Sequence, residues 1–246
     1  MNLHDKVALI TGASRGIGRG IAKVLATHGM RLALNYRHNE AAASETLEAV
    51  KALGAGAILI RGDVQDEEQV AAMLASVEAR YGRLDVLVNN AGVDSAYAPN
   101  ELSLEEWNRI VGVNLTGAFL CSRGALGIMR EQGRGRIIMI SSIAGLRGTG
   151  NVHYVASKAG MLGLTMALAR ATAGSGITVN AIAPGLTRSE MLFESQPQIE
   201  QDLHAEVPLG RLGEPEEIGE AVAFLAQHEY ITGETVNVSG GRYIGL

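Results

Sequence analysis

Seven short apolar runs alternate with stretches of helical periodicity, and that alternation narrows the open folds more than any other feature. The runs are Lys6–Ile10, Leu32–Tyr36, Ala57–Ile60, Asp85–Val88, Arg136–Ile140, Ile177–Ala181 and Thr235–Val238. Most are apolar on successive residues, which marks strands buried on both faces of a parallel sheet. Helical patterns fall between them, over 19–26, 41–53, 66–81, 107–129, 154–171 and 215–226. A β–α order of this kind, with right-handed crossovers, predicts an α/β doubly wound sheet of about seven parallel strands with helices on both faces. No linker, repeat or low-complexity segment interrupts it, so residues 1–246 are expected to form one domain.

The first strand runs into Thr11-Gly12-Ala13-Ser14-Arg15-Gly16-Ile17-Gly18 and then into a helix. Free N–H groups and the positive end of the helix dipole make such a turn a phosphate site. Glycine at 12, 16 and 18 lets a pyrophosphate approach and the helix pack closely on the strand. A glycine-rich turn that binds nothing is the competing reading.

Net charge is −5, and no basic run occurs, which argues against nucleic acid as a partner. The single cysteine, Cys121, excludes an internal disulfide and fits a reducing compartment; Phe119 and Leu120 beside it suggest a buried, inert thiol. No apolar stretch is expected to reach the ~20 residues of a membrane span, and the first strand starts too early to leave room for a signal peptide. A cytoplasmic protein is expected.

The second strand ends in Asn35-Tyr36-Arg37-His38-Asn39, with no acid before Glu40. An NAD site places Asp or Glu about 20 residues after the glycine turn, for the ribose 2′-hydroxyl. Arg15 and Arg37 instead suit a 2′-phosphate, so NADP is expected; two solvated arginines are the alternative. Asp63 and Val64 follow the third strand; Asp63 either accepts from the adenine amino group or caps its own turn. Asn90, Ala91 and Gly92 follow the fourth strand, where small residues let the chain pass close to a cofactor.

Ser141-Ser142 closes the fifth strand, and Tyr154 and Lys158 stand four apart at the start of a helix, on one face. A neighbouring ammonium is expected to lower the Tyr154 pKa from about 10, tuning a general acid for a carbonyl oxygen. A serine hydroxyl would steady the developing oxyanion. Asn114, in an apolar helical segment, either holds a relay water or bonds only to backbone. For the Tyr-Lys pair alone, an exposed helix face is the competing reading.

Taken together, Thr11-Gly12-x-x-x-Gly16-x-Gly18, Asn89-Asn90-Ala91-Gly92, Asn114, Ser142, Tyr154-x-x-x-Lys158 and Pro184-Gly185 resemble the short-chain dehydrogenase/reductase family over nearly the whole chain. The tail, from Gly210-Arg211-Leu212-Gly213 to Ser239-Gly240-Gly241, looks most like the subgroup containing bacterial 3-oxoacyl-carrier-protein reductases. The resemblance implies a Rossmann-type fold, NADP(H), and an Asn114-Ser142-Tyr154-Lys158 tetrad. In it Tyr154 gives the proton, Ser142 positions the carbonyl, Lys158 binds ribose, and Asn114 holds the relay water. Cofactor contacts are implied at Gly12, Ser14, Arg15, Gly16, Ile17, Gly18, Arg37, Asp63, Val64, Asn90, Ala91, Gly92, Tyr154 and Lys158. Pro184, Gly185, Thr187 and Ser189 are implied at the carboxamide. No metal is implied. A homotetramer built partly on the two long helices is. The substrate is a small carbonyl compound or an acyl thioester, reduced to a secondary alcohol. An NAD-dependent sugar or steroid alcohol dehydrogenase and a dinucleotide-sensing regulator are the other readings.

Three departures stand out. Ser142 sits twelve residues before Tyr154 and Ser141 thirteen, where the family spacing is thirteen; the Ser-Ser-x-x-Gly pattern selects Ser142. Val93-Asp94-Ser95-Ala96-Tyr97 lacks the family's Ile-Thr-Arg-Asp, and Gly174-Ser175-Gly176 lacks a basic residue for an acidic carrier. Residues 186–212, with Met191, Leu192, Phe193, Pro197 and Pro208, read as a substrate lid whose apolar residues favour a hydrophobic ketone or simply fill core. Leu146, Arg147 and His153 are expected at the same mouth, where Arg147 hints at an anionic substrate.

Overall fold

The computed structural model describes residues 1–195, 199 and 203–244. Among these residues one sheet holds seven parallel strands: β1 (Val7–Ile10), β2 (Arg31–Tyr36), β3 (Ala57–Arg61), β4 (Val86–Asn89), β5 (Gly135–Ile140), β6 (Ile177–Pro184) and β7 (Thr235–Val238). Their order is β3-β2-β1-β4-β5-β6-β7. The doubly wound α/β fold expected from the alternation is therefore the fold observed.

Alternate residues of β1 enter opposite cores, because strand side chains alternate faces. Val7 and Leu9 pack with Leu87, Cys121, Met129 and Met161. Ala8 and Ile10 pack with Ile21, Leu25, Leu32 and Val222. The first layer holds α3 (Glu67–Tyr81), α4 (Leu104–Val111), α5 (Gly117–Gln132) and α7 (Val152–Ala171); the second holds α1 (Gly16–Thr27), α2 (Glu40–Ala52) and α10 (Pro215–Gln227). Short helices α6 (Ile143–Arg147), α8 (Glu190–Ser195) and α9 (Leu203–Glu206) lie outside the sequence expectations.

β1 pairs with β2 on one side and with β4 on the other. After β3 the chain therefore crosses β1, which makes the carboxyl edge between β1 and β4 a switch point, the place where open α/β sheets bind ligands.

Local chemistry sets the helix ends. Asp66 caps α3 by accepting from the N–H groups of Glu68 and Gln69. Ser103 caps α4 through the N–H of Glu106. The helical stretch expected through Met129 is not regular: between α4 and α5 it makes a π turn over Gly112–Thr116. The whole run, Leu104–Gln132, is 29 residues with a window of mean hydropathy 1.2, long and apolar enough to cross a membrane by length and composition. This corrects the expectation that no such stretch exists, although over half of that window is buried within the fold.

Candidate active site

The glycine turn is shaped as an anion cradle. Arg15, the residue before α1, is extended (φ −155°, ψ 176°), its side chain does not cap the helix, and the first turn carries no acid. The helix's leading N–H groups are left to a ligand. Gly12 has φ +63°, and a Cβ on Gly18 would stand 2.3 Å from the Gly12 carbonyl oxygen. Neither position accepts a side chain without moving backbone. Residues with no predicted role hold the turn in place. Asn35 Oδ1 accepts from Gly12 N at 3.2 Å, and its amide donates to the carbonyls of Ile60 and Gly62. Thr11 Oγ1 accepts from the N–H groups of Asn90 and Ala91, both at 3.0 Å. Asn90 Nδ2 in turn donates to the carbonyls of Thr11 and Gly12. The Ser14 carbonyl accepts from Arg19 and Thr46, and Ile17 packs against the core beneath.

At the ends of β2 and β3, Arg37 Nε lies 2.9 Å from Asp63 Oδ2, while Asp63 Oδ1 accepts from Gln65 N. Asp63 thus caps its own turn and pairs with the arginine. Val64 is buried, packed against Gly117 where α5 begins. Arg15 Nη1 lies 3.5 Å from Glu194 Oε1 on α8. Both arginines are half exposed at the mouth of the crevice.

Four side chains expected to act together do converge beyond the carboxyl ends of β4 and β5. Ser142 precedes α6, accepts from Ala144 N at 3.1 Å, and faces the Tyr154 phenol closely enough to favour its ionised form. Ser141 points the other way: buried, it donates to the Lys158 carbonyl at 2.8 Å. Lys158 is buried, and its Nζ donates to the Ile140 carbonyl at 2.8 Å and lies 5.7 Å from the centre of the Tyr154 ring. A Cβ on Gly92 would stand 3.4 Å from Lys158 Nζ. Asn114, fully buried on the π turn, accepts from Val93 N and donates to the Val93 carbonyl and Ser157 Oγ. Its side chain thus ties the β4 loop to the start of α7.

Burial dominates the electrostatics of the pair. It pushes the Tyr154 phenol up to about 12, with the Ser142 hydroxyl pulling the other way. It brings the Lys158 ammonium down to about 8. The expectation that Lys158 lowers the Tyr154 pKa is corrected in this arrangement: desolvation of the phenolate outweighs it, and the ammonium is directed at Ile140. Cys121 is buried, and its thiol is pushed up to about 12, as an inert thiol should be.

At the mouth, His153 is fully buried with Nε2 2.8 Å from Ser95 Oγ, and Ser95 donates to Glu106 Oε1. Bonds from Arg109 and Ser95 hold the Glu106 carboxyl down to about 2. Leu146, half-buried, and Arg147, exposed, close α6. Pro184 ends β6 opposite Val238, and a Cβ on Gly185 would meet Ser239 at 2.8 Å. Thr187 is buried and bridges to Gly213, and Ser189 accepts from Leu192 N beside Gly16. In the lid segment Leu186, Leu192, Ile199, Val207 and Leu212 form their own small core, with Phe193 packed on it. Pro197, within 196–198, and residues 200–202 of that segment lie outside the described residues.

A phosphate cradle with a half-buried phenol and a buried ammonium serves redox chemistry at a carbon–oxygen bond. The class is the NAD(P)-dependent oxidoreductases acting on alcohols and ketones. A family model described as enoyl-(acyl carrier protein) reductase matches residues 12–242. The chain belongs to the short-chain dehydrogenase/reductase family. It is similar to the 3-oxoacyl-[acyl-carrier-protein] reductase FabG of Staphylococcus aureus, at 42% identity over 97% of this chain and 98% of the relative. It is 41% identical to FabG of Escherichia coli over 99% and 100% of the two chains. Among solved structures it superposes on the actinorhodin polyketide ketoreductase with NADPH at a TM-score of 0.92, with 37% identity and 97% of each chain covered.

Proposed function

We propose that the protein uses NADPH to reduce a ketone of the 3-oxoacyl type to a secondary alcohol, with Tyr154 as the general acid. The observation that carries this reading is the Tyr154–Lys158 pair, with Lys158 Nζ 5.7 Å from the centre of the phenol ring and Ser142 beside the phenol at the carboxyl edge of the sheet. The glycine turn fits a dinucleotide: its N–H groups carry no side-chain cap, and a Cβ at Gly18 would block it. The residues that would hold the cofactor are Gly12 to Gly18 at the pyrophosphate, Arg15 and Arg37 at a 2′-phosphate, and Asn90 to Gly92 with Pro184 to Ser189 at the nicotinamide end. The cofactor, when bound, supplies a hydride to the carbonyl carbon.

The chain supplies the proton. With its pKa near 12, Tyr154 is protonated at neutral pH and loaded as a donor. Ser142 Oγ lies within hydrogen-bond reach of the same oxygen and orients it. Lys158 spends one ammonium donor on Ile140, which leaves donors for ribose hydroxyls. Asn114 fixes Val93 and Ser157, and Ser157 Oγ donates to the Tyr154 carbonyl, so the start of α7 is held in register with the β4 loop.

Similarity to 3-oxoacyl-carrier-protein reductases supports the substrate class, and Arg15 with Arg37 supports NADPH over NADH. Exposed Phe119 on α5 and Met166 on α7 support assembly of a homotetramer along these helices, and the cytoplasm is the proposed compartment. The test is NADPH oxidation at 340 nm with ethyl acetoacetate and an acetoacetyl thioester. Wild type consumes NADPH faster than NADH, and Tyr154→Phe is inert. Equal turnover by Tyr154→Phe removes the reading.

A further inference from the structure

The chain from Gly92 to Ser95 runs along the start of α7. Gly92 abuts Lys158 Nζ, and Val93 is clasped by Asn114. Asp94 accepts from Asn151 Nδ2 at 3.1 Å on both carboxylate oxygens, and from Ser95 N at 2.8 Å. Ser95 meets His153. Asn151 immediately precedes α7, three residues before Tyr154. Asp94 is therefore pinned, half-buried, against the start of α7, two residues past the glycine that abuts Lys158 and bonded to the residue three before Tyr154. Its field reaches both groups, raising the pKa of each. Lys158 Nζ is turned to the Ile140 carbonyl and, among the described residues, makes no ion pair with Asp94, so the two interact only at a distance.

We propose that Asp94 sets the charge of the substrate, admitting uncharged 3-oxo esters or thioesters and rejecting the corresponding 3-oxo acids, whose carboxylate stands one methylene from the ketone. A β-keto acid would bring a second anion near Asp94, in a site where burial weakens screening. An ester or thioester of the same ketone carries no such charge. The proposal rests on the reductase reading above and reverses the hint of an anionic substrate drawn from Arg147.

Asp94→Asn is the fitting variant. It removes the charge and keeps the shape, and the Asn151 amide turns over to accept from it. The experiment compares kcat/KM for ethyl acetoacetate and for acetoacetate, with NADPH, in wild type and Asp94→Asn. Wild type prefers the ester, and the ester-to-acid ratio falls about tenfold in the variant. A purely structural role would lower both substrates equally and leave the ratio intact, and that result overturns the proposal. Asp94→Ser, matched to wild type by thermal melting, gives the same ratio if charge is the cause; a wild-type ratio in that variant also overturns it. Failure of wild type to reduce any ketone with either nucleotide is a different result, which removes the reductase reading itself.

Discussion

Arg37 and Asp63 form a 2.9 Å ion pair that joins the carboxyl ends of β2 and β3. The pair holds a guanidinium at the edge of the crevice, half exposed and able to turn to a phosphate. Arg37→Ala should raise KM for NADPH about tenfold or more and change that for NADH by no more than about threefold, since only one of the two carries the 2′-phosphate. Steady-state kinetics with both nucleotides checks this; equal effects on both would remove Arg37 from cofactor selection.

The two serines face opposite ways, so their alanine variants should separate cleanly. Ser142→Ala loses a partner of the phenol, and kcat should drop about 100-fold with little change in melting temperature. Ser141→Ala leaves the Lys158 carbonyl without its donor, and should cost about 1 kcal/mol of stability in denaturant titration while kcat falls far less.

Lys158 gives stability a pH dependence. Its folded pKa, about 8, lies below the unfolded value, so the unfolded chain binds the extra proton between about pH 8 and pH 10. Below that window the buried ammonium destabilises the fold, and the cost fades as pH rises through it. Measured against Lys158→Met, wild type should therefore gain stability from pH 8 to pH 10, by up to about 3 kcal/mol. A difference that stays flat across this range would show that the ammonium is not desolvated.

The Cys121 thiol, buried with its pKa near 12, should not react with a thiol reagent at neutral pH while the protein is folded. One equivalent should react in denaturant. Rapid labelling of native protein would mean that the helix around Cys121 opens locally.

Much of the architecture was legible because parallel strands buried on both faces write themselves as unbroken apolar runs, as Val7 to Ile10 do. The number of strands and their parallel, doubly wound class followed from that signal; their order in the sheet and the extension of β6 to Pro184 did not. Asn35 and Thr11 were passed over as supports of the glycine turn, because their value lies in partners 23 and 79 residues away. The π turn at Asn114 was not visible either: one residue more in a turn leaves no mark on an apolar period. The electrostatic reading of Tyr154 missed for a different reason. Spacing put an ammonium one turn away, but spacing carries no information about desolvation, which is the larger effect here. Asp94 was noted only as a break from a familiar pattern, whereas its hold on Asn151 needed the fold to bring the β4 loop against α7.

The seam between β1 and β4 joins just three residue pairs, Ala8 with Val86, Leu9 with Leu87 and Ile10 with Val88. Upstream of it lie both arginines and the glycine turn; downstream lie all four groups of the proposed acid–base apparatus. Coenzyme choice and proton delivery are thus inherited on separate stretches of polypeptide. A chimera with its crossover near residue 85 could exchange one trait for a relative's version and keep the other.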